Sequence, residues 1–343
     1  MSGSSLDGVD LCLISFKKDQ SWDFKVIKYV QLSLSEELRK RLKNSENLNA
    51  REIHELDIDY GFWLGNQIKT FLANDSGVKV IGIHGHTVFH DPKKNLSIQI
   101  GNGEVISHVT GLPTVDTFRI KDILHGGQGA PLVPIGDCLL FPDFQAWVNL
   151  GGIANITVKK EKGIMAWDIA PCNQVLNFLA GKLGHEYDKN GTIAASGHLL
   201  DEWLNELEKP AFFHQTPPKS LDNQWVKQHL ITDLPTNTPD ALHTYCFFLS
   251  KQIHQAVKRF SRPSAKILFT GGGANNLFLI DQIKKQLSPS FQVIVPDKII
   301  IDYKEAIIFG FLGLLRFLNQ RNVLGEATGS NSDTISGVLH IPD

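Results

Sequence analysis

Three glycine-centred segments, each joined to a short apolar run, restrict this chain more than any other feature. They are Met1 to Asp10 (MSGSSLDGVD), Asn149 to Thr157 (NLGGIANIT) and Thr270 to Asn276 (TGGGANN). Glycine at a strand end lets backbone N–H groups approach a phosphate oxygen, because no Cβ blocks the way and positive φ is open. One such segment alone reads as a tight turn. Three in this order along 343 residues predict a nucleotide held by loops from two α/β domains.

Composition narrows the partners. A net charge of −2 without long runs of one sign leaves no basic face for nucleic acid. The longest apolar stretches, such as Ala306 to Leu315, are too short to span a bilayer, and the amino end lacks a charged-then-apolar leader pattern, so the expected location is the cytoplasm. Cys12, Cys138, Cys172 and Cys246 are dispersed without a CxxC pair, which argues against a disulfide framework or a thiolate zinc site.

Periodicity supplies the elements. Val9 to Phe16 reads as a strand, Trp22 to Leu34 continues with alternating apolar positions, and Ser35 to Leu42 and Ile53 to Leu72 carry helical spacing. Val78 to Ile83 is expected to be a buried strand ending at His84-Gly85-His86-Thr87, where side chains commonly line a ligand site. Trp147 to Leu150 and Ile153 to Val158 form a hairpin-like pair about Gly151-Gly152. Helices are expected over Cys172 to Leu183, Leu199 to Leu207, His243 to Phe260, Asn276 to Leu287 and Tyr303 to Leu318, with strands at Lys266 to Phe269 and Val293 to Val295. Pro131, Pro134 and Pro142 mark a boundary near 130–147.

These residues carry a resemblance to the anhydro-N-acetylmuramic acid kinase family, a branch of the sugar kinase, Hsp70 and actin superfamily. The matching stretches are Met1 to Asp10, His84 to His90 (HGHTVFH), Ser97 to Asn102 (SIQIGN), Phe118-Arg119, Gly126 to Pro134 (GGQGAPLVP), Asn149 to Thr157, Asp168 with Pro171 and Asn173, Gly191 with 194–197, Pro217 to Ser220, Gly271 to Ala274 and Glu305-Ala306. The resemblance implies a two-lobed actin-like (ribonuclease H-like) α/β fold with an ATP and sugar cleft. One lobe would comprise 1–140 with about 303–343, the other 141–302. It implies an enzyme that uses ATP, Mg²⁺ and water to open the 1,6-anhydro bridge and phosphorylate O6, giving N-acetylmuramate 6-phosphate in cell-wall recycling, and it allows a homodimer. A non-catalytic sugar or nucleotide sensor and a kinase of another amino sugar remain alternatives.

Site residues follow from the same match. Asp168 is the expected general base; its alternative is a helix cap or Asx turn. Gly3, Ser4, Ser5, Leu6, Asp7, Gly8, Val9 and Asp10 would cradle ATP phosphates, with Asp7 and Asp10 orienting Mg²⁺ or its waters; Asp7-Gly8 is also a strong hairpin dipeptide. Gly151, Gly152 and Asn155 would meet the phosphates from the second lobe, and Gly271, Gly272 and Gly273 would pass beneath the nucleoside, unless these are simple turns. His84, His86, Arg119 and Glu305 are the candidates for the sugar. The fork of Arg119 suits a lactyl carboxylate but equally a structural ion pair, and Glu305 at a helix start would be favoured by the macrodipole regardless of substrate.

Departures from the family pattern fall close to these positions. Ala170 and Cys172 fill two glycines of Asp-x-Gly-Pro-Gly-Asn, which costs about 1 kcal/mol at either position that needs positive φ. Thr117 replaces an Asp, 221–224 lack an Arg and a Glu, and Asn275 replaces an Arg. The superfamily also reaches its first phosphate loop from an apolar strand, whereas Met1 already lies in the loop, so a longer native chain with such a strand ahead of Met1 is expected.

Overall fold

The computed structural model describes residues 1, 6, 8–73, 75–161, 163–221, 223–230 and 234–343, with backbone only at 223, 224 and 227. The chain forms two compact units, Met1–Phe141 with Glu305–Asp343, and Pro142–Lys304. Each mixes strands and helices, as the α/β reading expects.

In the first unit, β1 (Val9–Lys18) pairs antiparallel with β2 (Trp22–Leu32). Then come α1 (Glu36–Lys43), α2 (Ala50–Leu72), β3 (Ile81–Gly82), β4 (His86–Asp91), β5 (Leu96–Ile100), α3 (Gly103–Thr110), β6 (Thr114–Asp116), α4 (Ile120–Leu124) and α5 (Pro134–Leu140). Helix α2 starts where a capping box allows: the Asn49 side chain accepts from the Glu52 N–H while Glu52 reaches back to the Asn49 N–H. Its apolar stripe, Leu56, Tyr60, Leu64 and Ile68, is buried against Leu6, Val9, Ile83, Ile100 and Ile106. Met1 pairs with Asp10 through two backbone bonds of 2.7 and 2.9 Å. A cavity of about 420 Å³ lies between β1 and segment 75–83, with Cys12, Ile14, Tyr60 and Val80 among its lining.

The second unit is built on a five-stranded sheet. It contains β7 (Ala146–Leu150), β8 (Ile153–Lys159), β9 (Ile164–Pro171), α6 (Asn173–Gly181), α7 (Thr192–Ser196), α8 (Asp201–Glu208), α9 (Ala211–His214), α10 (Asn223–Leu230), α11 (Thr238–Phe260), β10 (Lys266–Thr270), α12 (Leu277–Leu287) and β11 (Gln292–Ile294). The strand order is β11-β10-β7-β8-β9, with β10 parallel to both β7 and β11 and the β7-β8-β9 meander antiparallel. The carboxyl ends of β7, β9 and β10 therefore share one edge of the sheet. Helix α11, capped by Asn237, buries Leu242, Tyr245, Phe248, Leu249 and Ile253 in the core of this unit.

Helix α13 (Lys298–Phe317) belongs to both units, and α14 (Gly325–Thr328) and β12 (Val338–His340) complete the first. Strand β12 pairs antiparallel with β6, whose other neighbour is β3. Two expectations are corrected here. Of 78–83 only Ile81–Gly82 is strand, and it is half-buried: the α13 backbone sits so close that a Cβ on Gly82 would lie 2.3 Å from the Phe309 oxygen. Glu305 does not begin a helix either. The Asp297 carbonyl accepts from Ile300 and Ile301, so α13 starts before Glu305 and the macrodipole argument lapses.

Candidate active site

In the second unit the shared sheet edge gathers three of the loops that the sequence singles out. Asp168 lies near the end of β9, opposite Asn155 on β8, and the register slips there, so that Ile169 has no partner of its own. Such a bulge re-aims the neighbouring side chain. The Asp168 Oδ2 accepts the Leu221 N–H at 2.9 Å, and the Asp168 N–H donates to the Lys219 carbonyl at 3.0 Å. Burial raises the carboxyl pKa above its ordinary 3.8, and the Leu221 bond only partly opposes this. The result is a carboxylate fixed through one oxygen. A helix-cap role does not describe it, since the turn into α6 is held by other groups.

Those groups are the Gly151 and Gly152 carbonyls, which accept from Asn173 at 3.0 Å and from Cys172 and Gln174 at 2.8 and 3.2 Å. Cys172 has φ −123°, and neither it nor Ala170 has positive φ. The two filled glycines thus carry none of the left-handed strain that the sequence comparison raised.

The third loop packs directly on the first hairpin. Gly271 has φ +82°, and a Cβ there would lie 2.5 Å from the Asn149 Oδ1 and 2.9 Å from the Leu150 carbonyl carbon. A Cβ on Gly273 would meet the Leu150 Cβ at 2.8 Å, whereas on Gly272 it would find only the Asn173 Nδ2 at 3.5 Å. Gly271 and Gly273 serve the packing of two loops, and Gly272 keeps open space. Beside them the Thr270 hydroxyl is buried without a hydrogen-bond partner among the described residues.

In the first unit His84 and Arg119 come together. Arg119 donates from Nε and Nη2 to the His84 Nε2 at 3.1 and 2.6 Å, and from Nη1 to the Gly129 carbonyl at 2.7 Å. Burial brings the guanidinium pKa down to about 10, opposed by the nearby charge of Glu305. In place of the surface ion pair considered for Arg119, the structure shows a half-buried cation whose hydrogen bonds go to neutral acceptors. Thr117, two residues earlier, takes φ +54°, a region where Asp and Asn are at home and a β-branched residue is not. His86 does not join this pair, and its Nδ1 is buried without a hydrogen-bond partner among the described residues. His90, not singled out from the sequence, feels the Arg119 charge, and its Nδ1 lies 3.0 Å from the Ser97 hydroxyl oxygen.

The opening loop divides. Leu6 and Val9 bury their side chains in the core of the first unit, so only their backbones are available to a ligand. The Gly8 backbone precedes β1, and the Asp10 backbone is paired with Met1. Gly3, Ser4, Ser5 and Asp7 lie outside the described residues. Among those described, no three His, Cys, Asp or Glu side chains group as a metal cage. A Mg²⁺ carried with nucleotide needs only one or two carboxylates and keeps several waters.

Comparison with known proteins first gives the class, for the relatives are kinases. The protein named anhydro-N-acetylmuramic acid kinase in Crocosphaera subtropica (strain ATCC 51142 / BH68) is 32% identical over 381 residues, covering 100% of this chain and 98% of that one. Its namesake in Vibrio cholerae serotype O1 (strain ATCC 39315 / El Tor Inaba N16961) is 32% identical over 365 residues, covering 100% and 97%. The family model described as anhydro-N-acetylmuramic acid kinase matches residues 1–342, and the chain belongs to that family. Among solved structures, the activator of the 2-hydroxyisocaproyl-CoA dehydratase from Clostridium difficile aligns with 53% of this chain and 64% of its own, at 15% identity and TM-score 0.34. No helix among the described residues is long and apolar enough to cross a membrane.

Proposed function

We propose that this protein is an ATP-dependent kinase that opens 1,6-anhydro-N-acetylmuramic acid with water and phosphorylates O6, giving N-acetylmuramate 6-phosphate in cell-wall recycling. The observation that carries the reading is Asp168, a carboxylate aimed by a bulge, held through one oxygen and raised in basicity by burial. Asp168 takes a proton from the water that adds to the anomeric carbon. The bond from that carbon to O6 breaks, O6 forms its bond to the γ-phosphorus, and ADP leaves. The second unit supplies the base together with Gly151, Gly152, Asn155 and Gly272 toward ATP. The first supplies Arg119 toward the sugar, the opening-loop backbone toward phosphate, and Asp10 toward Mg²⁺, which offsets phosphate charge when bound. The place of action is the cytoplasm, where ATP is made and the free thiols of Cys12, Cys138, Cys172 and Cys246 stay reduced.

Incubation with ATP, Mg²⁺, the anhydro sugar and ¹⁸O-water tests the reaction by mass spectrometry. The expected product carries one solvent oxygen at the anomeric carbon, and Asp168→Asn forms none while still binding ATP. A phosphorylated sugar without solvent oxygen would replace this reading with transfer to a free hydroxyl of another amino sugar. Full turnover by Asp168→Asn would remove Asp168 from the base role.

A further inference from the structure

The bonds around Arg119 fix more than its position. A guanidinium only donates, so the His84 Nε2 at 2.6 and 3.1 Å must present its lone pair, and the proton of the imidazole sits on Nδ1. That Nδ1–H has an acceptor ready, the Gly85 carbonyl at 2.9 Å. One tautomer of neutral imidazole satisfies both contacts, whereas an imidazolium would set an N–H against the Arg119 N–H groups. The ring is held in plane as well: it is 6% exposed and lies 4.7 Å from the Phe309 ring. Burial comes first in lowering the His84 pKa, followed by the Arg119 charge, with the Met1 amino group and His86 adding in the same sense.

The other anchor of the guanidinium is equally fixed. Gly129, whose carbonyl accepts from Nη1, donates its own N–H to the Asp122 Oδ2 at 2.8 Å, and the Thr328 hydroxyl holds the Asp122 Oδ1 at 2.7 Å. Counting donors then gives a specific remainder. Arg119 has five N–H bonds. His84 takes the Nε bond and one on Nη2, and Gly129 takes one on Nη1. Among the described residues one N–H is left on each Nη, two donors that a ligand carboxylate can accept.

We propose that His84 is a positioning residue: as the Nδ1–H tautomer it clamps one edge of Arg119 so that the remaining N–H pair is offered to a carboxylate on the ligand. This rests on the functional reading above, in which the ligand is a muramyl sugar with a lactyl carboxylate. The unprotonated state of His84 is part of the device. Glu305 and His90 are the other titratable groups sensed around the guanidinium.

Two measurements test it. The first is ¹⁵N NMR of the histidine rings in the full chain between about pH 5 and pH 8, the range in which an ordinary histidine titrates. His84 is expected to remain the neutral Nδ1–H tautomer throughout; an Nε2–H tautomer, or titration in that range, overturns the proposal. The second is calorimetry with 1,6-anhydro-N-acetylmuramate and with 1,6-anhydro-N-acetylglucosamine, which lacks the lactyl group. His84→Phe is expected to reduce the preference for the carboxylate sugar about tenfold or more, since a charge-assisted contact is lost. His84→Gln, which restores an acceptor near Nε2, is expected to stay within about threefold of the parent. If His84→Phe does not fold, Arg119→Lys, which keeps the charge and loses the fork, is expected to show the same loss. An undiminished preference in either variant overturns the positioning role. Failure of the unaltered protein to bind either sugar would defeat the functional reading, while the NMR result still decides the state of His84.

Discussion

Gly271 and Gly272 are neighbours in one motif, yet their substitution by alanine should give opposite results. At Gly271 the backbone has φ +82°, and the new Cβ would stand 2.5 Å from the Asn149 Oδ1 and 2.9 and 3.0 Å from the Leu150 carbonyl carbon and nitrogen. With ψ 163° this is an extended positive-φ region that essentially only glycine occupies, and it costs a residue with a Cβ about 1–3 kcal/mol. Overpacking adds about 1–3 kcal/mol. The obstacle cannot step aside, because Asn149 is locked in register with Thr270 across β7 and β10. Gly271→Ala should therefore lose about 2–6 kcal/mol. Gly272 has no positive φ, and its nearest obstacle is the Asn173 Nδ2 at 3.5 Å, so Gly272→Ala should change stability by about 0.5 kcal/mol or less. Urea unfolding followed by circular dichroism separates the two. ATP calorimetry on Gly272→Ala adds the functional half, since a methyl in the open space assigned to nucleotide should weaken binding while the fold is kept. An unchanged urea midpoint for Gly271→Ala, or equal destabilisation by both variants, would refute the division into a packing glycine and a ligand-facing one.

Two further outcomes are expected. His340 ties β12 to the rest of the first unit, with Nε2 3.1 Å from Asp116 and Nδ1 2.9 Å from Glu104, and the Asp116 hydrogen bond is foremost in raising its pKa above 6.5. A histidine raised in the folded state contributes stability that is complete below its unfolded pKa and is lost as pH rises through the folded one. The thermal midpoint of the parent should accordingly fall relative to that of His340→Gln between about pH 6 and pH 8.5; parallel curves would contradict this. Thr117→Asn should stabilise the protein by up to about 1 kcal/mol in urea unfolding, because Asn tolerates the φ of +54° that Thr117 adopts. A loss of stability would mean that the threonine methyl or hydroxyl is worth more than the backbone strain.

The sequence determined the class of elements and the loops that matter. The apolar run of β1, the stripe of α2 and the β7–β8 hairpin are local patterns, and the chain's motifs were enough to indicate its family. Local pattern could not assign roles within a motif. His84 and His86 look alike in HGHTVFH, but of the two only His84 bonds Arg119, and Gly85 turns the chain between them at φ +73°. Three glycines in a row look equivalent until β7 and β10 come into register and press Leu150 against two of them. Asp168 gives no sign in sequence of the Leu221 N–H that holds it, which lies 53 residues away. Helix α13 begins ahead of the apolar run near Tyr303, because its start is set by the Asp297 carbonyl. Period and composition record what each residue needs from its neighbours in the chain. Which group meets which is decided by strand register and long-range packing, and these arise only when the chain has folded.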